Sequence, residues 1–237
     1  MAPPTPRERL LDAAEALFAE RGLAAVSLRA INATAGLSPA ALHYHFGSKP
    51  GLVEAILLRR MPALMARRGV LLGELSASIG PPNTASIIDA FLRPLIELLL
   101  EEPEAGLRYI RFLARAYVDG DIDTGFVLMR FEDDVANLDP LLQRALPEHP
   151  IDLVRVRLSI AIETGLRTLA NTESYLRTFS RTTQLTPEQF STVLLDFIAG
   201  GLAAPSRLAE GSAPSPHTAA ARSSRDGAHG SRPGEEV

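Results

Sequence analysis

The sequence of 237 residues contains no cysteine and no tryptophan, and only 5% of its residues are aromatic. The absence of cysteine excludes disulfide bonds, thiolate metal ligands and a cysteine nucleophile. No apolar run reaches the roughly 18 residues that a membrane-spanning helix needs. The N-terminal stretch MAPPTPRERLLDAAEALF lacks the basic region and the continuous apolar segment of a secretory signal. We therefore expect a cytoplasmic protein that makes no membrane contact.

Charge is distributed unevenly along the chain, although the net charge is only −4. Residues 1–68 contain nine Lys and Arg against five Asp and Glu, whereas residues 69–202 contain eleven against nineteen. A basic N-terminal segment joined to an acidic body is typical of a protein whose N-terminal segment meets a polyanion such as nucleic acid. A solvated basic helix face would give the same composition.

Helical signals continue to about residue 202 without an alternating strand pattern, so we predict an all-α fold. The segment Thr5-Pro6-Arg7-Glu8 is a capping box with proline at the first helical position. Further helices are predicted over 84–102, 103–118, 124–146 and 150–172, and LTPEQF begins a last helix that ends near 202. From residue 203 onward, 22 of 35 residues are Ala, Ser, Pro or Gly, which predicts a disordered tail over 203–237.

Three short helices are predicted within residues 1–48, ahead of a helical body over 49–202. Ser27 opens the second helix and Gly36 ends it, while Ser38 and Pro39 begin a very short third helix that ends at Gly47. The second helix, the turn and the third helix form a helix-turn-helix. An exposed short helix with the positive end of its dipole outward suits the major groove of DNA.

Residues 7–53, RERLLDAAEALFAERGLAAVSLRAINATAGLSPAALHYHFGSKPGLV, resemble the DNA-binding domain of the TetR family of bacterial transcriptional regulators. The matching pieces are LLDAAEALFAERG, the AGLS turn and ALHYHFGSK. The resemblance implies a homodimer that binds a palindromic operator in double-stranded DNA. It also implies that the following positions contact bases or phosphates: Arg29, Ser38, Pro39, Ala40, Ala41, His43, Tyr44, His45 and Lys49.

Two residues depart from the family pattern. His43 replaces a frequent tyrosine, so its phosphate contact is expected to be weaker or sensitive to pH. Asn32 replaces a frequent small alanine that faces the next helix. A buried amide there needs hydrogen-bond partners, or it destabilises the fold by about 1–3 kcal/mol.

Metal binding and catalysis are poorer interpretations of the same stretch. His43 and His45 would point about 200° apart on a helix, so their rings diverge, and no carboxylate is placed to complete a site. Ser38 and Ser48 are better explained as helix caps, and no G-x-S-x-G pattern occurs. We therefore predict no catalytic residue, no metal and no cofactor.

The body is predicted to hold a small lipophilic effector. The helix over 84–102 is apolar almost all round and contains Pro94, which should kink it. The segment FLRPLIELLL and its surroundings resemble the fatty-acid-responsive, PsrA-like branch of the family, which implies a fatty acid or acyl-CoA as effector. Candidate pocket residues are Phe91, Leu95, Leu99, Tyr109, Phe112, Phe126, Met129 and Phe131, with Arg108, Arg111 and Arg115 either solvated or anchoring an anionic group.

The last two helices are predicted to form the two-fold dimer interface through Ile162, Gly165, Leu166, Leu169, Leu194, Leu195, Ile198 and Leu202. Alternatively, these apolar stripes close the core of one subunit. The sequence therefore predicts a homodimeric repressor released by an effector. The alternative function is a helical protein-interaction module that does not bind DNA.

Overall fold

The computed structural model describes residues 3–118, 138–180 and 184–206, and the described residues form ten helices and no strand. The N-terminal helices are α1 (Pro6–Arg21), α2 (Leu28–Thr34), α3 (Ala41–Phe46) and α4 (Lys49–Ala77). The others are α5 (Thr84–Glu101), α6 (Pro103–Val118), α7 (Leu138–Ala145), α8 (Ile151–Ala170), α9 (Thr172–Phe179) and α10 (Pro187–Ala203). None of these helices is both long enough and apolar enough to cross a membrane. The all-α prediction is confirmed.

Side-chain caps fix the beginnings of α1, α2 and α4. The Thr5 hydroxyl accepts from the Glu8 N–H at 3.3 Å, and the Glu8 carboxylate accepts from the Thr5 N–H at 2.7 Å, which completes the predicted capping box. Ser27 and Ser48 cap α2 and α4 through the N–H groups of Ala30 and Gly51, at 3.1 and 3.2 Å. These side chains occupy backbone donors that the first helical turn would otherwise leave unpaired.

The start of α3 differs from the prediction. Ser38 and Pro39 lie in the turn that precedes the helix, and α3 begins only at Ala41. The residue before it, Ala40, has no side chain that can cap, so the Ser38 side chain is not a helix cap. Instead the Ser38 carbonyl accepts a turn hydrogen bond from the Ala41 N–H at 3.0 Å.

The described N-terminal helices and the described helices of the body pack into one compact unit. Helix α1 packs against α6, where the rings of Phe18 and Phe112 stack with centroids 6.3 Å apart. The fully buried Tyr109 donates its hydroxyl to the Leu57 carbonyl of α4 at 3.1 Å. The N-terminal helices are therefore in direct contact with the body and share its hydrophobic core.

The body core forms around α5, which packs against α4, α6 and α10. Pro94 is buried within this helix, which continues without interruption to Glu101. The predicted helix over 124–146 is described only from Leu138 to Ala145, and most of the predicted tail lies outside the described residues.

The predicted dimer stripes close the core of their own subunit, so the structure corrects that assignment. The side chains of Leu166, Leu169, Leu194, Ile198 and Leu202 are buried, and Ile162 and Leu195 are half-buried against the same core. Gly165 faces α5, because a Cβ at this position would lie 2.9 Å from the Leu92 side chain. The apolar side chains that α8 and α10 expose are instead Val156, Ile160, Val193 and Phe197.

Two glycines of α4 allow a matched test of the packing between α3 and α4. A Cβ at Gly51 would clash with the Phe46 carbonyl oxygen at the end of α3, whereas a Cβ at Gly73 would meet no atom within 4 Å. We expect Gly51→Ala to lower the free energy of unfolding by about 1–3 kcal/mol. Gly73→Ala should raise it by about 0.5–1 kcal/mol, since alanine favours a helix interior. Urea denaturation measures both, and equal effects would contradict the close α3–α4 approach.

Candidate nucleic-acid interface

Asn32 ties α2 to the beginning of α3. The side chain is buried, its amide nitrogen donates to the Leu28 carbonyl at 3.0 Å and to the Pro39 carbonyl at 3.2 Å, and its oxygen accepts from the Leu42 N–H at 3.2 Å. The Asn32 amide, which stands where the family often has alanine, therefore has the hydrogen-bond partners that its burial requires. Because Ala40 cannot cap α3, Asn32 supplies the missing acceptor from the neighbouring helix.

Arg9 of α1 holds the other side of the same turn. Its guanidinium donates to the carbonyls of Ala35 and Gly36. Gly36 has φ = +63°, a conformation that favours glycine, and a Cβ there would lie 2.9 Å from the Arg9 side chain. The turn therefore needs the backbone freedom of Gly36, and a side chain there would also displace the Arg9 guanidinium from its two carbonyls.

The beginning of α3 presents a small, exposed surface. Ser38, Pro39 and Ala40 are exposed, and Ala41 is half-exposed. Side chains this small allow DNA to approach closely but offer few hydrogen bonds to base edges. Sequence would therefore be recognised here through contacts with thymine methyl groups and through the shape of the DNA. Arg29 is exposed on α2 and adds a guanidinium to this part of the molecule.

Tyr44 and His43 carry the polar groups farther along α3. The Tyr44 side chain is 86% exposed, which is unusual for a ring of this size and makes its hydroxyl available to a ligand. The Nδ1 atom of His43 lies 2.8 Å from the Gly47 carbonyl, and because a carbonyl only accepts, Nδ1 carries the proton. The Nε2 atom can then donate to a phosphate only when the ring is doubly protonated.

Lys49 does not project from the surface as the family pattern implied. Its ammonium group donates to the Leu23 carbonyl and lies 5.7 Å from the centroid of the Phe18 ring. In this structure Lys49 holds the loop between α1 and α2. His45 is half-buried, with its ring edge-on to that of Tyr44 at 5.0 Å, and among the described residues no group of three or more His, Asp and Glu could hold a metal ion.

Two family profiles match this chain. Residues 10–56 match the profile described as bacterial regulatory proteins, tetR family, which contains the helix-turn-helix described above. Residues 89–201 match a profile described as the tetracyclin repressor-like C-terminal domain, which begins within α5 and ends within α10. The two matches follow the order in which the sequence places the N-terminal helices and the body.

Relatives with similar sequences are transcriptional regulators. The chain is 31% identical over 203 residues to the HTH-type transcriptional repressor Rv3405c of Mycobacterium tuberculosis, covering 83% of this chain and 90% of that protein. The chain belongs to the TetR family. It is also 41% identical over 66 residues to the HTH-type transcriptional regulator UidR of Escherichia coli K12, which is 28% of this chain and a third of UidR. TetR-family members are DNA-binding transcriptional regulators and not enzymes.

A solved structure agrees with the fold. A TetR-like transcriptional regulator from Rhodococcus sp. RHA1 superimposes with a TM-score of 0.56 at 18% identity, covering 86% of this chain and all of that one. The helix-turn-helix and the helical body of this chain therefore have the TetR-like arrangement.

The candidate pocket residues of the TetR-like body are mostly packed. Leu95, Tyr109 and Phe112 are buried in the core, and Leu99 is half-buried against it. The half-buried Phe91 lies beneath the Arg68 guanidinium, 3.7 Å from the ring centroid. The remaining aromatic and methionine candidates, Phe126, Met129 and Phe131, lie outside the described residues.

Arg108 connects the N-terminal helices to the body. Its Nε donates at 3.2 Å to Glu15 of α1, whose side chain is 3% exposed and also accepts from Arg59 of α4 at 3.4 Å. Burial raises the pKa of the Glu15 carboxyl in spite of these two cations. Arg111 donates to the Ala170 carbonyl of α8 at 3.0 Å, so both arginines join helices.

Asn32 and Arg9 hold the turn and the beginning of α3, a role that the sequence pattern did not assign to them. The signal for Asn32 was a polar residue on an apolar helix face, which pointed to a required partner without naming it. Arg9 carried no comparable signal, because a basic residue in the first turns of an amphipathic helix is usually solvated.

We expect Asn32→Ala to lower the free energy of unfolding by about 1–3 kcal/mol, because it leaves the buried Leu42 N–H without an acceptor. Operator affinity should fall for every DNA sequence, since α3 loses its fixed position. Ser38→Ala is the control for stability, because its exposed side chain caps no helix. Equal stability of the wild type and Asn32→Ala in urea denaturation would contradict this role.

Proposed function

We propose that this TetR-family regulator is a cytoplasmic, homodimeric repressor that inserts α3 of each subunit into a palindromic operator and leaves DNA when a small lipophilic effector binds. The observation that carries the proposal is the helix-turn-helix, whose α3 is held by buried hydrogen bonds while Tyr44 and the small residues before it face outward. The sequence similarity to a transcriptional repressor supports repression rather than activation of transcription.

The dimer is supported by the outward face of α8 and α10. Ile160 and Phe197 are 60% and 73% exposed, and each has an exposed valine four residues earlier in its helix, Val156 and Val193. These pairs lie opposite the buried stripes of the same helices, and the two helices pack against each other. Exposed apolar side chains in such an arrangement are typical of a protein interface.

A single copy of α3 would bind DNA weakly, because it is only six residues long and reaches few base pairs. Specific operator binding therefore needs the N-terminal helices of two subunits. A two-fold dimer places two such helices on half-sites about one turn of DNA apart. An interface built on α8 and α10 leaves the N-terminal helices free for this contact.

Operator binding is tested by a gel shift with the DNA upstream of the protein's own gene. We expect Tyr44→Ala to weaken binding to every sequence by a similar factor, because a phosphate contact positions the protein without reading bases. Arg29→Ala should also reduce the dependence of affinity on salt by about one unit per site if it meets a phosphate. The exposed Arg177 of α9 gives a control, Arg177→Ala, with unchanged binding. Absence of any specific complex would favour a protein-interaction module.

Dimerisation is tested by charge substitution on the outward face. Ile160→Glu combined with Phe197→Glu should yield monomers that keep their helix content but lose operator affinity, since two carboxylates would be buried without partners. Val70→Glu, at an exposed apolar position of α4, should remain dimeric. Sedimentation equilibrium separates these results, and a dimeric double variant would contradict the assigned interface.

The proposed effector is a fatty acid or its acyl-CoA ester, bound beside α5. Support comes from the resemblance of the α5 sequence to the fatty-acid-responsive branch and from the half-buried Phe91 and Leu99, which border the apolar core. Ligand sites of this kind are mostly apolar with few polar groups. Titration of the operator complex with palmitate and with palmitoyl-CoA should release DNA with at least one of them. Release only by an unrelated aromatic compound would contradict the lipid assignment.

A further inference from the structure

A groove of about 590 Å³ lies between α1, α6 and α8 and is separate from the proposed lipid site beside α5. Four arginines line it, of which three belong to α6 and one to α8: Arg108, Arg111, Arg115 and Arg167. The α6 arginines follow one another at intervals of three and four residues, so they share one face of the helix. The volume is in the range of small-molecule sites.

Arg108 is paired with the buried Glu15, whereas the other three groove arginines meet only exposed carboxylates or none among the described residues. Arg167 meets Glu163 at 3.3 Å and Arg111 meets Glu173 at 3.4 Å, both in exposed pairs of the kind that contribute little stability. Within the part of the chain that the structure describes, Arg115 has no ion-pair or hydrogen-bond partner. Glu20 is the one carboxylate among the described lining residues, and it lies 3.6 Å from Arg21.

The rest of the described lining is small. Four alanines contribute to it, two from α1 and one each from α6 and α8, together with Asn171. Methyl groups of this size leave room for a narrow apolar portion beside the charged one. A phosphate carries more oxygens and more negative charge than a carboxylate, so it can accept from several guanidinium groups at once in charge-assisted, bidentate pairs.

We propose that this groove binds a small organic phosphate, held by Arg111, Arg115 and Arg167, and that this ligand regulates DNA binding. The regulatory part rests on the proposed function. A ligand in the groove would touch α1 of the N-terminal helices and α6 and α8 of the body at the same time. It therefore shifts operator affinity by as much as its own affinity differs between the two arrangements of these helices.

The binding site is tested without DNA, by calorimetric titration of the full-length protein with inorganic pyrophosphate at constant ionic strength. We expect one pyrophosphate per chain, and at least tenfold weaker binding to the variant that combines Arg115→Ala with Arg167→Ala. Arg108 is left intact because Glu15 depends on it. Arg177→Ala controls for a lost surface charge, and Arg29→Ala controls for pyrophosphate binding at the DNA-contact surface. Both should bind as the wild type does.

Failure of the wild type to bind pyrophosphate, or equal binding by the double variant, would overturn the site. The regulatory part is read from the gel shift with and without pyrophosphate. A change in operator affinity for the wild type that is absent in the double variant supports it, and unchanged affinity with pyrophosphate bound overturns it. Loss of operator binding in the absence of pyrophosphate would instead count against the proposed function and leave the calorimetric result intact.

Discussion

The buried carboxylate of Glu15 joins three helices of this protein at one point. It lies on α1 and accepts hydrogen bonds from Arg59 of α4 and Arg108 of α6. Arg59 and Arg108 are 33% and 40% exposed, so each pair contributes less than the roughly 3–5 kcal/mol typical of a fully buried pair. Losing both would leave the buried carboxylate without a partner. In the same contact between α1 and α6, the rings of Phe18 and Phe112 stack with centroids 6.3 Å apart. The position of the N-terminal helices on the body therefore depends on this contact, and so does any signal that passes between them.

Among the N-terminal helices, α3 is held in position by residues of other helices. An isolated helix of six residues is far shorter than the roughly 12–15 residues that are marginally stable in water. Asn32 from α2 supplies the hydrogen bonds that hold its beginning, and Arg9 from α1 holds the turn that precedes it. Gly51 allows α4 to pack tightly against its end. The candidate DNA-contact surface is thus small and exposed, while the groups that hold it in position are buried or half-buried.

Helix ends were predictable where a local signal determines them, as at Thr5, Ser27, Ser48 and Thr186, whose side chains all accept the expected N–H. The start of α3 was not, because its cap comes from Asn32 ten residues before Leu42. The inward turn of Lys49 depends on a carbonyl 26 residues away. The faces of α8 and α10 were confused because both sides of each helix carry aliphatic residues, and only packing against Leu92 and its neighbours decides which side is buried.

The groove between α1, α6 and α8 adjoins the Glu15 contact, so a ligand there would act on the helices that carry the N-terminal segment. The central claim remains that two copies of α3 bind one palindromic operator. DNase footprinting of the wild-type protein on the DNA upstream of its gene tests it most directly. We predict two protected half-sites related by a two-fold axis, with centres about one helical turn apart. Protection of a single unpaired half-site, or no protection by the folded protein, would contradict the account.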